Sequence, residues 1–271
     1  MTRAELVQQI FQKKTCLCVG LDPELSKLPH HLPKNPAGVR QFCLEIIDAT
    51  RPFCVAYKPN LAFFEALGHE GLAILEEIRR HIGSSHFTIA DGKRGDIGNT
   101  SRLYAIAFFE KMGFDALTIA PYMGEDSVRP FLGFAGKWPI VLGLTSNPGS
   151  RDFQLETMAD GQFLFEKTIS TIATWGSSDQ MMFVIGATQT AHFQRVREIL
   201  PDHFLLVPGV GAQGGDLEQT LRIGLNRDCG LLINATRSII FASDGADFAE
   251  AAGAEARLLS REIGDLMDEI L

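Results

Sequence analysis

Apolar residues along this chain fall into two alternating patterns. Short apolar runs recur at Thr15–Leu21, Phe53–Tyr57, His86–Ala90, Ala116–Ala120, Pro139–Leu144, Met181–Ile185, His203–Val207 and Gly230–Ile233. Each is of strand length and is followed directly by Gly, Pro, Asp, Asn or Thr, except the second, which runs into Lys58-Pro59. None alternates cleanly between apolar and polar, as expected of parallel strands buried on both faces. Between the runs the spacing turns helical: Phe42, Ile46 and Ile47; Leu61, Phe64 and Leu67, then Ile74, Leu75 and Ile78; Leu103, Ala107 and Phe108. Before the first run, Thr2 and Glu5 have the spacing of a capping box, with Leu6, Val7, Ile10 and Phe11 on one face of a short helix. A last helix is predicted from about Ala246, with Leu258, Leu259, Ile263 and Leu266 on its apolar side.

Eight strand candidates in strict alternation with helices suit a closed (β/α)8 barrel, an α/β TIM-barrel fold class with an N-terminal helix before the first strand. An open doubly wound sheet is the competing architecture. The length of 271 residues allows two domains or one barrel. No composition shift or Ser/Pro-rich linker divides the chain, so residues 1–271 are assigned to one domain. The weakly patterned stretch Asn147–Asp160 is polar and reads as an active-site loop.

Composition narrows the function. Lys and Arg number 25 against 33 Asp and Glu, a net charge of −8, so no global field draws in nucleic acid and any phosphate must be held by a local site. No run of about 18 apolar residues occurs, which speaks against a membrane-spanning helix. Met1–Lys14 lacks the apolar segment of a secretory leader. The five cysteines (Cys16, Cys18, Cys43, Cys54, Cys229) are then expected to be reduced and buried in a cytoplasmic protein. Cys16 and Cys18 share a strand face, but no second ligand pair stands near them, so a metal or redox site is not expected.

The strand ends carry the chemistry. In barrels of this kind reactions occur at the C-terminal ends of the strands. Here those ends read Asp22-Pro23, Lys58-Pro59-Asn60, Asp91-Gly92-Lys93-Arg94-Gly95-Asp96, Thr145-Ser146-Asn147-Pro148-Gly149, Pro208 through Asp216, and Asn234-Ala235-Thr236-Arg237-Ser238. Charges placed directly after buried runs need partners, because a lone buried ion is costly. Asp91 and Lys93, at i and i+2, face the same way, and Lys58 on the adjacent strand can reach them. With Asp96 the four sum to zero formal charge and can be buried as one network. The bland alternative is a barrel-mouth salt-bridge cluster with Asp96 capping a helix from Ile97.

Gly209, Gly211 and Gly214 spell G-x-G-x-x-G, but late in the chain and without a first βαβ unit or its acidic ribose ligand, so a dinucleotide site is rejected. What survives is an anion site. Glycine-flanked N–H groups at a helix starting near Gly215-Asp216, the loops after the seventh and eighth strands, Gln213 as a neutral donor and Arg237 as a forked cation suit a phosphate. The seven histidines show no metal-ligand spacing, and neither a G-x-S-x-G elbow nor a P-loop is present. Trp138 and Trp175 read as core or interface residues.

Taken together and in order, these strand-end motifs resemble the orotidine 5'-phosphate decarboxylase family, most of all its longer bacterial branch, from Asp22 to Ser238. The resemblance implies a (β/α)8 homodimer that converts orotidine 5'-phosphate to UMP and CO2, the last step of de novo pyrimidine nucleotide synthesis, with no cofactor and no metal. It implies that Lys93 is the proton donor, that Asp91 lies against the substrate carboxylate, and that Lys58 bridges Asp91 and the ribose. Asp96, Ile97 and Thr100 would reach across the dimer into the neighbouring site. Asp22 would bind a ribose hydroxyl and Ser146 the pyrimidine. Pro208, Gln213, Gly214 and Arg237 would belong to the phosphate end. Shorter members differ in the fifth-strand loop and carry a bulkier, often aromatic, residue where Arg94 stands.

Two rivals remain. A sugar-phosphate decarboxylase or synthase on the same barrel would hold Mg2+ and look acidic where Lys58 stands, and a cation there would repel the metal. A non-catalytic nucleotide-binding barrel would need Arg237 and its loop, but not the Lys58/Asp91/Lys93/Asp96 charges.

Overall fold

The structure, a computed structural model, describes residues 1–210 and 215–271. All the predicted runs are strands: β1 (Leu17–Leu21), β2 (Ala56–Pro59), β3 (Phe87–Arg94), β4 (Ala116–Ile119), β5 (Trp138–Leu144), β6 (Met182–Ile185), β7 (Phe204–Pro208) and β8 (Leu231–Ala235). Each pairs in parallel with the next and β8 pairs with β1, closing the barrel. The open sheet is thereby excluded. The helices are α1 (Arg3–Lys13), α2 (Pro36–Thr50), α3 (Leu61–Glu65), α4 (Gly68–Ile82), α5 (Gly98–Ala105), α6 (Glu125–Val128), α7 (Leu164–Ile172), α8 (Thr190–Ile199), α9 (Leu217–Gly224), α10 (Arg237–Ile240) and α11 (Phe248–Ile270).

Several strands run further toward their C-terminal ends than their apolar runs do. β2 begins at Ala56 because Pro52 sits in a 3-10 turn over Arg51–Phe53, and it continues through Lys58 and Pro59. β3 continues from its apolar run through Asp91 to Arg94. Polar side chains paired with one another can stay on a buried strand, which apolar spacing cannot reveal.

The capping box of α1 forms as predicted: Thr2 and Glu5 satisfy each other's backbone N–H groups. Leu6 and Ile10 are fully buried, but Phe11 is 44% exposed, so the apolar face is narrower than its spacing suggests. The last helix differs only at one expected residue. Ile263 is buried and Leu259 and Leu266 pack against the core, whereas Leu258 is 60% exposed, and the buried stripe continues through Phe248, Ala252, Gly253, Ala256, Gly264 and Met267. Small residues let α11 approach closely: a Cβ on Gly264 would stand 2.7 Å from the Lys14 carbonyl oxygen, and one on Gly253 2.9 Å from that of Ala49. All five cysteines are free and buried. No helix among the described residues is long and apolar enough to cross a membrane.

One irregularity bears on the site. Between β3 and β4 the register runs Ala90↔Leu117 and then Arg94↔Ile119, so residues 91 to 93 stand opposite Thr118 alone. This bulge falls on the Asp91-Gly92-Lys93 segment.

Candidate active site

At the mouth of the barrel Asp91 joins two lysines. Lys58 Nζ donates to its Oδ2 at 2.7 Å and Lys93 Nζ to its Oδ1 at 2.6 Å. Lys58 is 5% exposed and Asp91 8%, whereas the Lys93 side chain is 52% exposed. The series therefore ends in an ammonium group open to the mouth. Burial alone would push the Asp91 carboxyl up, but the ammonium groups of Lys58 and Lys93 outweigh it and hold that carboxyl well below its usual range. For Lys58, burial works against the charge, yet Asp91 and Asp22 together raise it above its ordinary value. The charges are compensated, which is the condition for keeping them in the barrel.

Bulge geometry shapes the series. Lys93 has φ +45°, a left-handed conformation uncommon for a residue with a side chain. Its N–H donates to Thr118 Oγ1 at 2.9 Å, and that hydroxyl donates to Asp91 Oδ1, also at 2.9 Å. Gly92 lies close to the Leu61 side chain, which would have to shift to admit a Cβ, since that atom would stand 2.5 Å from Leu61 Cδ1. Behind the strand end the Arg94 guanidinium pairs with Glu65, lies over the rings of Tyr104 and Phe108, and donates to the Gly92 carbonyl at 3.3 Å.

Asp96 does not join this cluster. Its Oδ1 accepts the Ile97 N–H at 2.8 Å, and among the described residues it forms no ion pair with either lysine. The four-charge network expected within one chain is thus a three-charge network, because the chain leaves β3 before Asp96 and carries it outward. Asp96 does not cap α5 through its side chain either, since Ile97 is the N-cap residue there. Ile97 and Thr100 are exposed beside it. With Leu103, Tyr122 (91% exposed) and Met123, Ile97 is among the large exposed apolar residues near this end of the barrel.

Asp22 follows β1. Burial raises its carboxyl above the usual value, with Lys58 opposing, and its Oδ1 is buried without a hydrogen-bond partner among the described residues. Asn60, after β2, bridges to Asp91 through the backbone and caps α3 at the Ala62 N–H. Ser146 packs against Gly186, where a Cβ would stand 2.7 Å from the Ser146 nitrogen. The preceding residue is held by Gln154, whose Oε1 accepts the Thr145 N–H at 2.8 Å and whose Nε2 donates to Thr145 Oγ1 at 2.9 Å. The polar stretch after β5 is therefore folded back onto the strand end and partly structured, with a 3-10 turn over Pro148–Asp152.

The expected phosphate end is described in part. Pro208 ends β7 and pairs in register with Asn234. Gln213 and Gly214 lie outside the described residues. Arg237 is exposed at the start of α10 and has no ion pair among the described residues. The N-terminus of α9 differs from expectation: the Asp216 carboxylate caps it, accepting the Gln219 N–H at 2.9 Å, which leaves less of that helix end for an external anion.

Asn60 and Asn234 stand in the strand-end motifs but carry no expected role there, and sequence spacing does not single out Thr118. Thr118 and Asn234 are buried among apolar neighbours, and Asn234 Oδ1 has no partner among the described residues. A lone polar residue inside an apolar strand marks such a position without saying what its side chain faces. Among the described residues no group of three or more His, Cys, Asp or Glu could hold a metal ion.

Comparison with known proteins supplies a family. Residues 15–252 match the orotidine 5'-phosphate decarboxylase / HUMPS family. The chain is 49% identical over 270 residues to the orotidine 5'-phosphate decarboxylase of Phocaeicola vulgatus, covering 98% of this chain and 99% of that one. Among solved structures, a putative orotidine-monophosphate decarboxylase from Toxoplasma gondii superposes with a TM-score of 0.90 at 33% identity, covering 99% of this chain and 97% of that chain. The OMP decarboxylase of Leishmania donovani superposes with a TM-score of 0.85 at 35% identity, covering 98% of each chain.

Proposed function

The chain belongs to the orotidine 5'-phosphate decarboxylase / HUMPS family, and on that footing we propose that it converts orotidine 5'-phosphate to UMP and CO2. The observation that carries this reading is the half-exposed Lys93 ammonium at the barrel mouth, 2.6 Å from the buried, charged Asp91. Loss of CO2 from C6 of the pyrimidine leaves an electron pair in the ring plane, where the ring π-system cannot take it up. Stabilisation is then electrostatic and preorganised. At about 4 Å and an effective dielectric of about 20, one ammonium contributes roughly 4 kcal/mol.

Large accelerations require about 8–23 kcal/mol, so Lys93 does not act alone. The remainder comes from binding the remote phosphate, with closure of loops and exclusion of water. In this reading Lys93 stabilises the developing carbanion and then protonates C6. Asp91 lies against the departing carboxylate, and Lys58 bridges Asp91 and the ribose. Asp22, with its unpartnered buried Oδ1, accepts a ribose hydroxyl. Ser146 contacts the pyrimidine, and Arg237 with Pro208, Gln213 and Gly214 holds the phosphate.

The working unit is a homodimer of single-domain barrels in the cytoplasm. Asp96, Ile97 and Thr100 reach the neighbouring site. The position of Asp96 off its own cluster supports this arrangement, as do the exposed Ile97 and Tyr122. Following the ultraviolet absorbance of orotidine 5'-phosphate with purified protein tests the activity. Conversion to UMP is expected, and an unchanged spectrum at substrate concentrations that saturate binding overturns the reading.

A further inference from the structure

We infer that Thr118 is a positioning residue whose one hydroxyl group fixes the backbone of Lys93 and hydrogen-bonds the charged Asp91. The inference rests on the proposed role of Lys93. The bulge places residues 91 to 93 opposite Thr118 alone, so the usual strand-to-strand ladder is interrupted there. Thr118 Oγ1 takes the Lys93 N–H at 2.9 Å in place of a backbone acceptor. The same oxygen gives its own proton to Asp91 Oδ1 at 2.9 Å, the oxygen that Lys93 Nζ also reaches at 2.6 Å. Lys93 N–H, Thr118 hydroxyl, Asp91 carboxylate and Lys93 ammonium therefore form a closed ring.

Closure has two consequences. Lys93 holds φ +45°, a conformation that persists only where its surroundings fix it. The Thr118 hydroxyl holds the Lys93 backbone on the barrel side, and this directs the Cα–Cβ bond of the half-exposed lysine. The hydroxyl also supports the charged form of Asp91, since a donor to a carboxylate favours ionisation. Only a small group able both to accept and to donate suits the position. Thr118 is 1% exposed, so an amide or carboxylate there would bring a further polar group into the interior that needs its own partner, and an aliphatic residue offers neither function.

Thr118→Ser keeps the hydroxyl and loses the methyl, and Thr118→Ala loses both, so the difference between them isolates the hydroxyl. Both variants are first shown to be folded by circular dichroism. Removing one hydrogen bond to a charged group is expected to lower kcat by about tenfold or more in Thr118→Ala. KM is expected to stay within about threefold, because the binding energy of the remote phosphate is untouched. Thr118→Ser should recover kcat to within about threefold of the parent. Independently of turnover, hydrogen exchange of the Lys93 amide should be about tenfold faster in Thr118→Ala and near the parent value in Thr118→Ser. The inference is overturned by a Thr118→Ala variant with unchanged kcat, by a Thr118→Ser variant as slow as Thr118→Ala, or by unchanged protection of the Lys93 amide. A parent protein that fails to decarboxylate would instead sink the functional reading, and amide exchange would still decide whether Thr118 holds Lys93.

Discussion

Lys93 Nζ stands 2.6 Å from Asp91 Oδ1 although only Gly92 separates the two residues in the chain. The ammonium folds back along its own strand to the carboxylate that Lys58 holds from the other side at 2.7 Å. Removing the side chain of Lys93 therefore removes the cation at the open end and leaves the buried pair intact. If about 4 kcal/mol of electrostatic stabilisation is lost, Lys93→Ala should reduce decarboxylation by roughly a thousandfold or more while its melting temperature stays close to that of the parent. Steady-state assays with orotidine 5'-phosphate check this, and turnover within tenfold of the parent would remove Lys93 from the central role.

Arg237 has no ion pair among the described residues, so its substitution should cost little stability. Arg237→Ala is expected to lower kcat/KM for orotidine 5'-phosphate by about 2–3 kcal/mol, the order of a hydrogen-bonded charge contact. It should hardly change the slow reaction of the phosphate-free nucleoside. Equal losses on the two substrates would contradict a phosphate contact.

Asp96 is displaced from the cluster of its own chain, which makes a complementation experiment decisive. Lys93→Ala and Asp96→Ala chains are each expected to be nearly inactive. Mixed after mild dissociation, they should recover up to about a quarter of parental activity, since a shared C2 interface leaves one intact site in a mixed dimer. No recovery in samples shown to contain mixed dimers would mean that the sites are not shared.

Stability should depend on pH through two buried histidines. Burial, then Arg197 and Arg3, draws the His203 imidazole down from 6.5 to about 4, and burial with Lys13 does the same for His86. The unfolded chain takes up these protons near pH 6.5, while the folded chain refuses them until near pH 4. Stability is therefore fully present above the upper value, falls as pH drops through this window and levels off below it. His203 lies edge-on to Phe183 at 5.4 Å and both its ring nitrogens lack partners among the described residues. His203→Phe should accordingly flatten the loss of stability, measured by urea unfolding at about pH 7 and about pH 4.5. An identical loss in parent and variant would show that His203 does not titrate on unfolding.

Much of this was legible in the order of residues. Eight buried runs without alternation call for parallel strands, and helical spacing between them calls for crossovers, so the barrel follows from periodicity. Asp91, Lys93 and Lys58 were recognisable because charge placed directly after an apolar run must find a partner. Thr118 was not recognisable, because a hydroxyl within an apolar strand gives the same pattern whether it faces a helix or a carboxylate. The apolar side of α11 was legible at Leu259, Ile263 and Leu266, but its close approach at Gly253 and Gly264 was not, because bulky residues weigh most in a hydrophobic pattern and these have almost no side chain.

What the sequence by itself determined was the set of elements, their alternation and the chemical character of the strand ends, all of which depend on near neighbours in the chain. Tertiary structure alone decided the geometry in which these charges meet and which of the four expected charges stays out. Barrel closure brought Lys58 and Thr118 onto Asp91 from the two adjacent strands, and the bulge turned Lys93 back toward it. The exit of the chain from β3 carried Asp96 away. Hydrogen bonds and ion pairs act over a few ångströms, so a shift of one residue in strand register is enough to make or break them, and register depends on which faces the assembled strands bury.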